Sequence, residues 1–116
     1  VNEKGDSRPN YHYEDLVQLH KLYAEKGIKN PACIVDCNHA NSGKQYLEQI
    51  RIAKEVLHSK RHSSDIDALV KGLMIESYIE DGNQKISEGT YGKSITDACL
   101  GWEKSERLVL ELADLL

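Results

Sequence analysis

Two short apolar runs, separated by a segment with helical periodicity, restrict most strongly how this 116-residue chain can fold. The runs are ACIVDC at 32–37 and LVKGLMIES at 69–77, and each is nearly continuous in apolar residues. Strands of that composition are typical of parallel sheets, in which both faces are buried. The amphipathic segment between them would supply the helical crossover that parallel strands require. The sequence therefore predicts an α/β domain with parallel βαβ pairing.

Capping residues place the helices of the first half. A first helix is expected between Asn10, a candidate N-cap, and Gly27, which follows a lysine in the last turn. Ser42 and Gln45 match a capping box, so the crossover helix should begin near Gly43.

The second half is predicted to contain a polar connection, a third strand and a last helix. Residues 58–67, which include HSKRHSS, are expected to form a solvated loop, and 80–91 a turn followed by irregular chain. Residues 93–100 are predicted as a third, shorter strand. A helix should run from Trp102 to the end, with four inward residues: Leu108, Val109, Leu112 and Leu115.

Composition and charge narrow the class of protein. The chain is 40% hydrophobic and 29% charged, which is ordinary for one globular domain, here residues 1–116. A net charge of −4 and no dense basic stripe argue against nucleic-acid binding. No signal peptide and no apolar run of membrane-spanning length are visible. The odd number of cysteines, three, predicts buried thiols in a cytoplasmic protein rather than a disulfide framework.

Three polar residues are predicted at the carboxyl ends of the three strands. His39 follows the first strand, Glu76 ends the second and Asp97 ends the third. The carboxyl ends of parallel strands meet along one edge, where α/β proteins place their chemistry. An imidazole and two carboxylates at that edge would suit a divalent metal of intermediate softness, such as manganese, iron or zinc.

Each of these residues also has a purely structural interpretation. His39 could be a hydrogen-bonded loop residue, Asp97 could cap the following helix, and Glu76 could pair with a nearby lysine. The spacing of Cys33 and Cys37 is compatible with a zinc site, but no second ligand pair accompanies them. Spacing alone leaves these alternatives open.

Several motifs together are similar to a known family. HANSGKQ (39–45), MIESYIEDGNQ (74–84) and YGKSITDACLGWE (91–103) resemble the C-terminal part of 3-deoxy-D-arabino-heptulosonate 7-phosphate (DAHP) synthases of the feedback-regulated bacterial and yeast kind. RPNY at 8–11 also fits. The resemblance implies a (β/α)8 (TIM) barrel, of which this chain would hold about the last three strands and their helices. It also implies the condensation of phosphoenolpyruvate with erythrose 4-phosphate, the first step of the shikimate pathway.

The resemblance also assigns roles to residues. His39, Glu76 and Asp97 match the family's metal-ligand motifs, with manganese expected first and iron, cobalt or zinc as alternatives. The resemblance also makes His39 and Lys44 the expected catalytic residues. His39 would face the substrate, and Lys44 matches the lysine of the family's HANSxK motif, although it could equally be an exposed helix-surface lysine. The family's cysteine ligand and most of its phosphate-binding cations would lie outside this chain, and none of the three cysteines matches that ligand.

Two consequences concern activity and assembly. Without the fourth ligand and the missing cations, the isolated chain is not expected to turn over substrate. Open strand edges and an apolar inner face predict a homo-oligomer or a complementing chain. A non-catalytic fragment that binds metal or a protein partner is the alternative. A signalling-type α/β domain would need a second acidic cluster beside a phospho-acceptor aspartate, and Asp36 alone does not meet that requirement.

Overall fold

The protein contains a two-stranded sheet, and each strand is preceded and followed by helices in the sequence. The computed structural model describes residues 4–116, so the first three residues of the predicted domain lie outside it. Two short 3-10 turns cover Tyr46–Glu48 and Ile86–Glu88. The main elements, in chain order, are α1 (Tyr13–Glu25), β1 (Cys33–Asp36), α2 (His39–Ser42), α3 (Gln49–His62), α4 (Ser64–Leu69), β2 (Val70–Met74) and α5 (Trp102–Leu115).

The two strands pair in parallel, as the apolar runs predicted. Ile34 lies opposite Gly72 and Asp36 opposite Met74. The backbone N–H of Cys37 donates to the Met74 carbonyl at 2.9 Å, which extends the pairing by one residue. Both strands therefore end at the same edge of the sheet, and the segments after them emerge side by side.

Helices cover one face of this sheet and leave the other open. Val35 is buried in a core to which α1, α3, α4 and α5 all contribute. Because side chains alternate along a strand, Ile34 and Met74 point to the opposite face, where they are 69% and 46% exposed. The core cluster contains Tyr11, Leu16, Val35, Cys37, Ile52, Ala53, Val56, Ile66, Val70, Leu100 and Leu108. The sheet is thus half-covered, unlike a complete parallel sheet.

The start of the crossover helix differs from the capping-box prediction. Gly43 adopts a left-handed conformation (φ 60°) and ends the short helix α2 instead of beginning a new one. The Ser42 hydroxyl donates to the Asn38 side chain at 2.8 Å and does not cap α3. A 3-10 turn comes next, and α3 begins at Gln49. The Ser42 hydroxyl is thus bonded to the residue four positions before it and does not provide the cap that the sequence predicts.

The predicted loop at 58–67 is wrong, because this segment is helical. Helix α3 continues to His62, and α4 begins directly after Ser63. The Ser63 hydroxyl accepts a hydrogen bond from the Ile66 N–H at 3.3 Å and caps α4. Ile66 and Leu69, one helical turn apart, are both buried. The segment is therefore an amphipathic helix, although most of its residues are polar.

The predicted third strand at 93–100 is also wrong. Its backbone makes three isolated bridges, which join Ser94 to Asn83, Cys99 to Gly82, and Leu100 to Ser77. The parallel Leu100–Ser77 bridge lies beside the continuation of β2, and the other two bridges join the segment to the preceding loop. The segment doubles back on 77–84, and within residues 4–116 it has no continuous neighbouring strand to pair with.

The last helix begins at Trp102 as predicted, and Leu108 is buried in the core. Val109 is 61% exposed, so its predicted inward orientation is wrong. Asp81, in the loop after β2, accepts a hydrogen bond from the N-cap Gly101 N–H at 2.6 Å and forms an ion pair with Lys104. A distant loop thus caps this helix. No helix within residues 4–116 has the length and apolar character needed to cross a membrane.

Removing the Asp81 carboxylate should destabilise α5 in a pH-dependent way. The Lys104 and Gly101 hydrogen bonds lower the pKa of Asp81 below its ordinary 3.8. Its stabilisation is therefore complete above that ordinary value and is lost as pH falls through the lowered pKa. We expect Asp81→Ala to reduce the free energy of unfolding by about 0.5–1 kcal/mol at neutral pH, since the group is partly exposed.

Urea unfolding at neutral and acidic pH tests this expectation. The difference between Asp81→Ala and the parent should shrink as the pH is lowered, because the parent then loses the same charge. Glu106→Ala, an exposed carboxylate on the same helix, should show no such convergence. A difference that stays constant with pH would assign the effect to side-chain packing.

Candidate metal centre

His39 lies three residues beyond the end of β1 and faces three carboxylates. Its Nδ1 is 2.7 Å from Oδ2 of Asp36, and its Nε2 is 2.9 Å from Oε1 of Glu76 and 3.3 Å from Oδ2 of Asp97. The backbone of His39 has a positive φ of 37°, an uncommon conformation for a residue other than glycine. The turn after β1 therefore holds the imidazole at the carboxyl edge of the sheet under local strain.

Glu76 lies two residues past the end of β2, and its side chain and backbone are both held in place. The Asn38 amide donates to Oε2 of Glu76 at 3.1 Å. The fully buried Gln49 side chain bonds the Glu76 backbone twice, donating to its carbonyl at 3.0 Å and accepting from its N–H at 2.8 Å. The amide of Gln49 thus pairs with the Glu76 backbone as a neighbouring strand would, beside the Leu100 N–H, which also donates to the Glu76 carbonyl.

Asp97 reaches the same place from the loop after β2. Lys44 donates to its Oδ1 at 3.1 Å, while Oδ2 faces His39. The loop is anchored on both sides of Asp97, since Asn83 donates to the Thr96 carbonyl at 3.0 Å and Cys99 pairs with Gly82. The loop supplies the third carboxylate without being a strand.

The electrostatics of the cluster favour a cation. The hydrogen bond that His39 donates to Asp36 is the main reason that the pKa of His39 lies above its ordinary value, and the charges of Glu76 and Asp97 raise it further. The cluster contains three carboxylates, whereas its groups that can carry positive charge are one imidazole and the exposed amine of Lys44. Excess negative charge remains at the edge whether or not His39 is protonated.

The donor set fits a divalent metal ion. His39, Glu76 and Asp97 each offer one ligand atom, and these atoms all lie within 4.8 Å of one another. The three side chains are between one-quarter and two-fifths exposed, so an ion can reach them from solvent. One imidazole nitrogen with carboxylate oxygens suits manganese, iron, cobalt or zinc better than a thiolate-selecting metal.

The structure brings together the residues that the spacing placed at three strand ends. Two of the structural alternatives do not hold in the described residues. Gly101, not Asp97, is the N-cap of α5, and the Glu76 carboxylate contacts Asn38 and His39 instead of a lysine. Lys44 lies at the same cluster through Asp97, and its catalytic role stays a prediction.

The cysteines do not join this cluster. All three are free thiols, and Cys37 and Cys99 are buried. Burial, reinforced by the charge of Asp36, raises the pKa of Cys37 to about 12, so this thiol stays protonated near neutral pH. Within residues 4–116 no thiol belongs to the group of ligand atoms around His39.

Sequence reasoning missed the residues that hold the ligands in place. Asp36, Asn38 and Gln49 orient His39 and Glu76, yet the sequence suggests only a phospho-acceptor role for Asp36 and no role for Gln49. The dense polar run that starts at the end of β1 is a signal for the first two. Gln49 gives no signal, because a polar residue on an amphipathic helix is normally exposed.

Fold and site together define an α/β protein with an imidazole–carboxylate cluster at the carboxyl edge of a parallel sheet. The model of the DAHP synthetase I family matches residues 3–110, and the chain belongs to that family.

Relatives and a solved structure agree with this assignment. The chain is 43% identical over 113 residues to a phospho-2-dehydro-3-deoxyheptonate aldolase of Haemophilus influenzae, covering 95% of this chain and 30% of the relative. It is 39% identical to the Tyr-sensitive aldolase of Escherichia coli, covering 94% and 31%. The solved aldolase of Francisella tularensis superposes with a TM-score of 0.83 at 32% identity, covering 94% and 31%. The chain thus spans about a third of the length of these relatives.

Proposed function

We propose that this chain is the C-terminal portion of a DAHP synthase barrel and carries three of the ligands of its metal. The observation that carries the proposal is the convergence of His39, Glu76 and Asp97 at the sheet edge in a member of the DAHP synthetase I family. The reaction proposed for the complete site is the condensation of phosphoenolpyruvate with erythrose 4-phosphate to DAHP.

His39, Glu76 and Asp97 would hold the ion, with manganese as the first candidate and iron, cobalt or zinc as alternatives. A bound divalent ion supplies Lewis acidity toward an aldehyde oxygen or a water molecule. Two carboxylates with one imidazole make the site harder than a thiolate or all-imidazole site, which favours manganese among these metals.

Asp36 and Lys44 have supporting roles in this proposal. Asp36 accepts from Nδ1 of His39 and thereby aims Nε2 at Glu76 and Asp97. Carboxylates that orient a ligating histidine in this way also increase its basicity. Lys44 places an exposed ammonium beside Asp97, where it can attract a phosphate of the substrate.

The remaining part of the site must come from outside this chain. A complete barrel of this kind takes about 250 residues. The molecule measures 50 × 40 × 21 Å with a radius of gyration of 16.0 Å, against about 13 Å for a compact chain of this length. The apolar face that exposes Ile34 and Met74 would be covered by the rest of the barrel, by a complementing chain or by a second copy.

A complementation assay tests the proposed function. The chain is mixed with the part of the Haemophilus influenzae relative that it does not cover, in the presence of manganese and both substrates. We expect phosphate release only when both pieces are present, and none when the chain carries His39→Ala. Association of the two pieces without turnover would favour the alternative, a non-catalytic fragment that binds metal or a partner.

The open face also predicts self-association of the isolated chain. An exposed parallel sheet with two free edges offers both apolar area and unpaired backbone groups to another copy. Light scattering at micromolar concentration should therefore give a mass at least twice the 13.1 kDa of one chain. Ile34→Lys, which places a charge on the open face, should shift the mass toward the monomer. A monomeric parent would contradict this prediction.

Asp36→Asn should weaken manganese binding by about 10–100-fold, the usual effect of removing an outer-shell partner of a metal ligand. The amide retains the shape of the side chain but loses the charge that orients and polarises His39. Isothermal titration calorimetry measures the affinity, and Asp65→Asn, beside His20, is the matched control. An unchanged affinity would show that the turn after β1 positions His39 without Asp36.

A further inference from the structure

A pair of histidines lies on α3, away from the residues of the His39 cluster. Because residues 58–67 are helical up to His62, His58 and His62 are four residues apart on one face of the same helix. Their ring centroids are 4.4 Å apart, with the ring planes tilted by 57°. Two imidazoles at this spacing on a helix can bind one metal ion together, as they do in helical zinc sites.

Both imidazoles have nitrogen atoms available for a ligand. In the described part of the chain, neither His58 nor His62 forms a hydrogen bond or an ion pair, and both residues are exposed. The other three histidines differ, since His12, His20 and His39 each lie within 4 Å of a carboxylate. Among the described residues, the two imidazoles therefore contact each other but form no polar contact that metal binding would have to break.

The pair lines a groove between the start of α1 and the second half of α3. The groove has a volume of about 480 Å³. Besides the pair, His12, Glu14 and Glu55 line it with groups that can bind a metal. Glu55 is engaged by Arg51 at 2.8 Å, which leaves Glu14 as the groove carboxylate that forms no ion pair among the described residues. Within residues 4–116 Glu14 forms no three-ligand group with the two imidazoles, so water from the open groove would supply the further ligands.

We propose that His58 and His62 bind a second divalent cation of the zinc class in this groove, with water completing its coordination. This proposal is independent of the proposed function, because it uses none of the residues of the His39 cluster. Two neutral imidazoles favour zinc, nickel or copper over manganese, following ligand softness and the order of divalent-metal affinities. Metal choice therefore separates the two sites: zinc for the histidine pair, and manganese for the cluster with two carboxylate ligands.

A zinc titration of the His39→Ala chain tests the proposal, since that variant lacks the first site. Imidazole nitrogen resonances are followed by NMR, and the affinity is measured by calorimetry. We expect the signals of His58 and His62 to shift together at one equivalent of zinc. Either His58→Ala or His62→Ala should weaken the affinity by about tenfold or more, equivalent to about 1.4 kcal/mol or more.

His20→Ala is the matched control, because it removes a partly exposed histidine that lies on α1 and outside the groove. It should leave zinc affinity unchanged, and circular dichroism should show the same helix content in all variants. Zinc binding that is unaffected by both His58→Ala and His62→Ala would overturn the proposal. So would a titration in which thiol-bound zinc forms and the two imidazole signals stay in place.

Discussion

His39→Ala should abolish manganese binding at concentrations at which the parent chain is saturated. The substitution removes the only imidazole in the described cluster and leaves Glu76 and Asp97 as two carboxylates without their shared partner. The loss should exceed the roughly 10–100-fold effect of removing an outer-shell group such as Asp36, because a direct ligand is deleted. Calorimetry on the purified chain gives the affinity directly.

His20→Ala is the control for this prediction, and three outcomes of the comparison between the parent and His39→Ala lead to different conclusions. His20→Ala should bind manganese like the parent, which excludes a general effect of losing a histidine. If the parent binds and His39→Ala does not, the three-ligand edge forms without the remaining two-thirds of the barrel. If neither binds, the motifs are inherited sequence on a portion of the protein that cannot form its site alone. Equal binding by both would place manganese elsewhere.

Gln49→Ala should have the largest effect on stability of the alanine substitutions, and it should also weaken manganese binding. Gln49 is fully buried, and its amide is the partner of the Glu76 backbone N–H. Alanine would leave this part-buried donor unpaired, which costs about 1–3 kcal/mol, and would also create a cavity. We expect a total loss of about 2–4 kcal/mol in the free energy of unfolding.

The same substitution should affect the metal because Gln49 sets the position of Glu76. When the backbone at Glu76 is released, its carboxylate no longer has a defined distance from His39. Urea unfolding measures the first effect and manganese calorimetry the second. Gln18→Ala, an exposed glutamine on α1, should change neither. A stable Gln49→Ala chain, within about 0.5 kcal/mol of the parent, would show that another group or water satisfies Glu76.

Gln49→Glu keeps the acceptor for the Glu76 N–H and replaces the donor by a second carboxylate oxygen. A carboxylate can still accept from the Glu76 N–H but cannot donate to its carbonyl, and it adds a buried charge. The Glu76 carbonyl also accepts from the Leu100 N–H at 3.0 Å, so it keeps one partner. Gln49→Glu should therefore destabilise the chain through charge burial.

The parallel pairing and the three candidate ligands could be predicted from the sequence alone. Two apolar runs with a helical crossover between them allow little besides parallel strands, and parallel strands bring the residues just beyond their carboxyl ends to one edge. His39 and Glu76 were predictable for that reason, since both lie within three residues of a strand end. Asp97 was placed correctly at the edge, although the strand that was expected to carry it does not form.

Only the tertiary structure decided how those ligands are held and where the helices begin and end. Gln49 bonds Glu76 across 27 positions, and Lys44 reaches Asp97 across 53, so no local pattern contains either contact. Ser42 does not cap α3, because its hydroxyl donates to Asn38, whose amide in turn donates to Glu76, 38 positions away. The polar run at 58–67 is helical because Ile66 and Leu69 are buried in the core. Local propensities are weak, whereas burial and distant hydrogen bonds are decided by the fold as a whole.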